Sequence, residues 1–181
     1  MLRGINVGGQ KRISMETLHG IYMELGFNNV RTYVQSGNVV FEALEHDQRE
    51  LNRRIEAHIE QTTGFLVKVF IRQAGDIQRL LAGNPFFKDR NEDPSKLHVT
   101  FFYQHPPDTV LSKLTPPNGI TDEFAPGEMA VYLFCPSGYG KTRLSNGFFE
   151  RKLGIPVTTR NWNTVHAFYE MAVEKDIGSV V

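Results

Sequence analysis

The sequence holds a single cysteine, Cys135, so no disulfide can form within the chain. Its six histidines, at positions 19, 46, 58, 98, 105 and 166, form no HxH pair and no HExxH motif. No Cys/His cluster has zinc spacing either. No GxSxG elbow is present, which removes the usual signature of an α/β hydrolase. Twenty basic and twenty acidic residues cancel to a formal charge of zero, so the chain as a whole has no electrostatic pull toward nucleic acid or an anionic membrane. No apolar run approaches the ~20 residues that span a bilayer, and the opening MLRGINVGGQKR lacks the apolar core of a secretion signal. The expected compartment is the cytoplasm, with no membrane partner. These residue types define no catalytic set, no metal site and no cofactor.

What is present is ordinary globular material: 40% hydrophobic and 22% charged residues over 181 positions, enough for one large domain or two small ones. After an apolar Leu2–Val7 and the Gly8-Gly9 turn, Met15, Leu18, Ile21, Tyr22 and Leu25 recur at helical spacing, with Ser14 as N-cap and Gly26 as stop. Val30–Gln35 and Asn38–Ala43 read as a hairpin turning at Ser36-Gly37. Asp47–Thr63 is an amphipathic helix with Leu51, Ile55 and Ile59 inward, Phe65–Arg72 a strand, and 75–83 a short helix. Residues 85–95, rich in proline and charge, read as a connector.

The pattern then restarts. A strand Leu97–Gln104 leads to a short helix at 107–114, and Ile120–Ala125 pairs with Met129–Cys135 across Pro126-Gly127. A helix at 145–153, a strand Ile155–Thr159 and a helix at 161–172 complete the series. Each half places an arginine, Arg72 or Arg160, between its last strand and the helix that follows. The predicted fold is therefore α+β: two ferredoxin-like βαββαβ units, residues 1–84 and 96–181, each an antiparallel sheet with helices on one face. The first strand is short for the centre of such a sheet, so either this edge is abbreviated or residues upstream of Met1 complete it.

Three separated segments, LRGINVGG, YVQSGNVVF and TTRNWNTV, resemble the family known as domain of unknown function 1697. The resemblance runs from Leu2 to about Ala172 and implies a duplicated ferredoxin-like architecture. It implies no activity, substrate or catalytic residue. The chain departs from the family pattern ahead of Leu2 and at GYGKTRLS.

Two polar clusters are candidates for binding. In the first, Arg3 and Asn6 flank Gly8 and Gly9, with Lys11 and Arg12 following; paired glycines permit close backbone approach to a ligand and equally an ordinary tight turn. Gln35, Ser36 and Asn38 at the hairpin tip join this cluster through the family resemblance, with turn chemistry as the plain alternative. In the second, Arg160, Asn161, Trp162, Asn163 and Thr164 sit where a strand hands over to a helix. There Arg160 could bind an anion and Trp162 could stack on a planar ligand. Equally, an asparagine caps the helix, Arg160 pairs with a carboxylate and Trp162 fills the core.

CPSGYGKT has the outline of a phosphate loop, but Cys135 stands where glycine is needed and Pro136 removes an N–H donor. Between Gly140 and Arg160 five basic residues face one acidic residue, Glu150, a local excess compatible with phosphate or with a solvated helix face. The combined expectation is a binding protein taking a small anionic, phosphate-bearing or nucleotide-like ligand in a cleft between the halves. The alternatives are a nucleic-acid-binding module and an enzyme of a type that no motif identifies.

Overall fold

Helix boundaries follow the capping residues. Ser14 Oγ accepts the Thr17 N–H at 2.9 Å and opens α1 (Met15–Glu24), and Asp47 accepts the Arg49 N–H at 2.8 Å to open α2 (Gln48–Thr63). Between them β1 (Asn28–Tyr33) and β2 (Asn38–Glu42) form the expected antiparallel hairpin, joined by a turn over Val34–Gly37. The computed structural model describes residues 1–44 and 47–174; Glu45, His46 and the tail of the expected second half, 175–181, lie outside the described residues. Of the described residues, Met1–Ala74 and 167–174 form one compact unit, and Gly75–His166 forms a second.

In the first unit the apolar stripe of α1 (Leu18, Ile21, Tyr22) and that of α2 (Leu51, Ile55, Ile59) bury with Leu2, Ile5, Val30, Val67 and Val69 into one core. Tyr22 meets Phe41 edge-on at 5.1 Å, and Phe27 lies 4.7 Å from Phe41, adding aromatic contacts to that core. The strands expected at Leu2–Val7 and Phe65–Arg72 shrink to a single antiparallel bridge, Leu2 with Val69. Three hydrogen bonds carry it: Arg3 N to Lys68 O at 2.9 Å, Phe70 N to Met1 O at 2.8 Å and Met1 N to Phe70 O at 3.0 Å. Beyond Arg3 the backbone turns left-handed at Gly4 and again at Asn6 (φ 68° and 54°), so no extended partner remains to lengthen the ladder. Leu2 N also donates to Gly37 O at 2.8 Å, placing this short segment beside the hairpin.

The second unit holds α3 (Ala74–Ala82, entering from the first unit), α4 (Pro85–Lys88), β3 (Leu97–Phe102), α5 (Asp108–Leu111), β4 (Glu123–Pro126), β5 (Ala130–Phe134), α6 (Asn146–Leu153), β6 (Val157–Asn161) and the start of α7 (Trp162–Val173). The segment read as a plain connector contains α4, started by Asn84 Oδ1 accepting the Phe86 N–H at 3.1 Å, with Pro85 at a position where no N–H is needed. Its four residues are too few for apolar periodicity to register. The sheet runs β4-β5-β3-β6, with every neighbour antiparallel, and the proline of β4 falls on an edge strand. Phe102, Val131, Leu133 and Val157 on one face pack with Phe148, Phe149 and Leu153 of α6. All six residues of β3 are buried.

The described residues thus form a mixed α/β protein with seven helices and two antiparallel sheets. No helix among them is long and apolar enough to cross a membrane.

Gly37 and Gly20 provide a matched test of the first unit. A Cβ at Gly37 would lie 2.6 Å from Ile5 Cδ1, and the residue has φ 73°, whereas nothing lies within 4 Å of a Cβ at Gly20 inside α1. Gly37→Ala should cost roughly 2–4 kcal/mol, from left-handed strain plus overpacking. Gly20→Ala should be neutral or stabilise by up to about 1 kcal/mol. Urea denaturation of both variants checks this, and equal midpoints would contradict the close approach at Ile5.

Candidate functional site

The loop between Leu2 and α1 is shaped by residues with positive φ, among them Asn6 (54°), Gly8 (60°), Gly9 (77°) and Lys11 (44°). It is closed by one side chain. Asn6 Oδ1 accepts the Ile13 N–H at 2.9 Å, while Asn6 Nδ2 donates to Ile13 O at 2.9 Å and to Gln35 O at 2.8 Å. The same amide therefore fixes the entry to α1 and pins the hairpin turn 29 residues away. Lys11 Nζ donates to Leu66 O at 2.6 Å, so this lysine anchors the loop to the chain beyond α2.

A pocket of about 540 Å³ opens here, inside the range of about 300–1,000 Å³ typical of small-molecule sites. Asn6, Gly9, Arg12 and Ile13 line it from the loop, Ser14 and Met15 from the start of α1, and Gln35 from the hairpin turn. No acidic side chain is among the lining residues. Arg12 is exposed and makes no hydrogen bond or ion pair with any described residue. A Cβ at Gly9 would lie 3.6 Å from Arg12 Nη2, so the guanidinium rests beside that glycine. Gln35 contributes its carbonyl to Asn6, while its side-chain amide has no partner among the described residues.

The pocket unites Asn6, Gly9, Arg12 and Gln35 from the first cluster. Arg3, Gly8, Ser36 and Asn38 do not line it. Asn38 is 1% exposed and donates to Tyr33 O (3.3 Å) and Ser36 Oγ (2.9 Å), which is turn chemistry. Ser14 and Met15, which the sequence assigns to the N-cap and apolar period of α1, and Ile13, to which it assigns no role, also line the pocket and were not singled out as site residues.

The second cluster lies in the other unit and is largely interior. The strand β6 runs through Asn161 directly into α7, so Arg160 does not sit in a connector: it is paired with Val99 inside the sheet. Arg160 is 9% exposed and its Nη1 donates to Thr158 Oγ1 and Thr159 O, each at 2.9 Å. Burial pulls its pKa down to about 10, an effect opposed by Tyr139. Trp162 is buried, with Phe87 at 5.9 Å and the His166 ring edge-on at 5.0 Å. Asn161 Oδ1 accepts the Asn163 N–H at 2.9 Å and caps α7; Asn163 is exposed and Thr164 half-buried.

On the opposite sheet face a polar chain crosses the core. Thr100 Oγ1 lies 2.8 Å from Thr159 Oγ1, which donates to Asn146 Oδ1 at 2.6 Å. His98 stacks on Tyr139 at 4.8 Å, and its Nε2 is 3.4 Å from Asn161 Nδ2. Desolvation lowers the His98 pKa and raises that of Tyr139.

The phosphate-loop outline is occupied by its own hydrogen bonds. Gly138 N donates to Cys135 O (2.9 Å), Lys141 N to Gly138 O (3.1 Å) and Thr142 N to Tyr139 O (3.2 Å). Thr142 Oγ1, the hydroxyl that would meet magnesium, donates to Asp122 at 2.6 Å. Cys135 is buried, and its thiol is pushed up to about 11 by that burial. The basic excess nearby is dispersed. Arg160 is interior, Arg143 donates to Asn118 O at 3.0 Å, and Arg151 and Lys152 occupy the last turn of α6, where the helix dipole favours them. Phe101 and Phe102 are both fully buried, so β3 presents no open aromatic row for bases. Among the described residues no group of three His, Cys, Asp or Glu side chains could hold a metal ion.

This combination of sheets and helices matches a solved structure, that of the conserved bacterial protein SP0830 from Streptococcus pneumoniae. The TM-score is 0.71 at 21% identity, over 95% of this chain and 96% of that one. At that identity the likeness is one of fold. The chain itself belongs to the family described as protein of unknown function (DUF1697), whose model matches residues 1–132. No curated protein matches the chain.

Because the His98 pKa is depressed in the fold, the unfolded chain takes up its proton first as pH falls below the ordinary value of 6.5. The folded state thus loses stability from about pH 6.5 downward, until the folded-state pKa is passed. His98→Gln should flatten that part of the stability profile, and an unchanged slope would show that His98 is not the group responsible. Arg160→Ala should lower stability by about 2–4 kcal/mol, through lost buried hydrogen bonds and packing. The matching measurement is a melting curve with and without phosphate: a small stability loss with a lost phosphate response would instead mark Arg160 as a ligand contact.

Proposed function

We propose that the chain is a binding protein for a small anionic ligand, taken up in the pocket at the start of α1 in the first unit. The observation that carries this reading is Arg12: an exposed guanidinium without a partner among the described residues, in a pocket with no acidic wall. A guanidinium offers paired donors to a carboxylate or phosphate, and such charge-assisted hydrogen bonds are about twice as strong as neutral ones. The fixed loop supports the reading because Asn6 sets the positions of Ile13 and Gln35 before any ligand arrives, which lowers the entropy cost of binding.

The two units are read as copies of one split βαβ design. The sheet order β4-β5-β3-β6 of the second unit supports this: its first strand in sequence lies between the last and the third, as a ferredoxin-like unit requires. In the first unit the Leu2–Val69 bridge, the hydrogen bond from Leu2 to Gly37 and the β1–β2 hairpin occur in the corresponding order.

Isothermal titration with inorganic phosphate and pyrophosphate tests the binding reading. Arg12→Ala should weaken the tighter of the two at least about tenfold. Its melting temperature should stay near wild type, since a surface substitution typically changes stability by no more than about 0.5 kcal/mol. Anion affinity that survives Arg12→Ala would place the site elsewhere.

A further inference from the structure

Resting on the anion reading of the same pocket, we infer that its ligand is a nucleoside monophosphate: one phosphate for Arg12 and a flat, hydrogen-bonding ring for Gln35 and Met15. The inference starts from what the pocket offers beyond a cation. At about 540 Å³ it is far larger than a bare oxyanion needs. The lining supplies one positive charge and no negative one, which suits a ligand with a single anionic group and leaves a divalent metal without oxygen ligands of the charge it requires.

The remaining lining is of two kinds. Ile13 and Met15 provide apolar surface, and the thioether of Met15 adapts well to the face or edge of an aromatic ring. Gln35 provides a carboxamide, a donor and an acceptor side by side, which is the complement of a purine or pyrimidine edge. That amide projects from a backbone held at its carbonyl by Asn6 at 2.8 Å, in a turn closed by Asn38, so it is presented from a fixed base. A sugar phosphate would satisfy Arg12 and leave the apolar wall and Gln35 unused. A fatty acid would satisfy the wall and leave the amide facing hydrocarbon.

The experiment is a titration of the full chain with inorganic phosphate, ribose 5-phosphate, AMP and adenosine, repeated on Arg12→Ala and Gln35→Ala. AMP should bind at least about tenfold more tightly than ribose 5-phosphate, and adenosine more weakly than AMP. Gln35→Ala should remove the advantage of AMP over ribose 5-phosphate while leaving the affinity for ribose 5-phosphate in place. Arg12→Ala should weaken both phosphates and leave adenosine unaffected. If ribose 5-phosphate binds as well as AMP, with Arg12 still required, the nucleotide inference falls and the anion site stands. If no phosphate binds, or Arg12→Ala changes nothing, the anion reading falls and takes this inference with it.

Discussion

One carboxamide organises the first unit. Asn6 gives both hydrogens and one lone pair to three backbone groups, two on Ile13 and one on Gln35. A loop containing several residues at positive φ has few ways to satisfy its own backbone, and a side chain that acts as donor and acceptor at once substitutes for the missing ladder. Aspartate would offer oxygens where Ile13 O and Gln35 O need donors; leucine would leave all three groups without that partner. Neighbouring features build on this joint: the Ser14 cap starts one residue after Ile13, and the hairpin tip, held also by the Leu2 N–H, lies where Gly37 passes within reach of Ile5.

The second unit solves a different problem. Its strand β3 is covered on both faces, yet it carries His98 and Thr100, and its neighbour β6 carries Thr158, Thr159 and Arg160. Antiparallel register sorts them: His98 faces with Asn161 and Thr100 with Thr159, while Arg160 and Thr158 share the other face with Val99 and Phe101. The hydroxyls of Thr100 and Thr159 find partners in a neighbouring strand or helix, and that of Thr158 accepts from Arg160 two residues along the same strand, as the penalty for burying an unmatched polar group demands. The family segment TTRNWN therefore does structural chemistry on both sides of the sheet and caps α7 besides.

Helices were legible where a cap and a period coincide. Ser14, Asp47 and Ser145 each accept a backbone N–H at the helix start, and α2 and α6 stop at Gly64 and Gly154. Strand extent was much less legible, because a strand is only as long as its partner. Leu2–Val7 and Phe65–Arg72 have the composition of strands, but left-handed Asn6 and Lys11 are not glycines and give no warning in sequence. The burial of Arg160 is equally invisible, since it depends on β6 continuing two residues further along β3 than the apolar pattern indicates. Of the pocket, Asn6, Gly9, Arg12 and Gln35 were visible as members of one candidate cluster. Their meeting was not, because it is made by a hydrogen bond across 29 residues.

The residues that make the family segments recognisable are mostly the ones already engaged: Asn6, Asn38, Asn161 and Arg160 all hold backbone or neighbouring side chains. A hydrogen-bonding group committed to the fold has little left to offer a solute, so these motif residues are accounted for by structure. The informative groups are those the fold leaves over. Arg12 and the Gln35 amide stand beside fully engaged neighbours and share a pocket with an apolar wall. An exposed arginine alone is commonplace, and so is an exposed glutamine. What sets them apart is their placement at one opening, Gln35 on a backbone held by Asn6 and Arg12 next to Ile13, which the same asparagine holds.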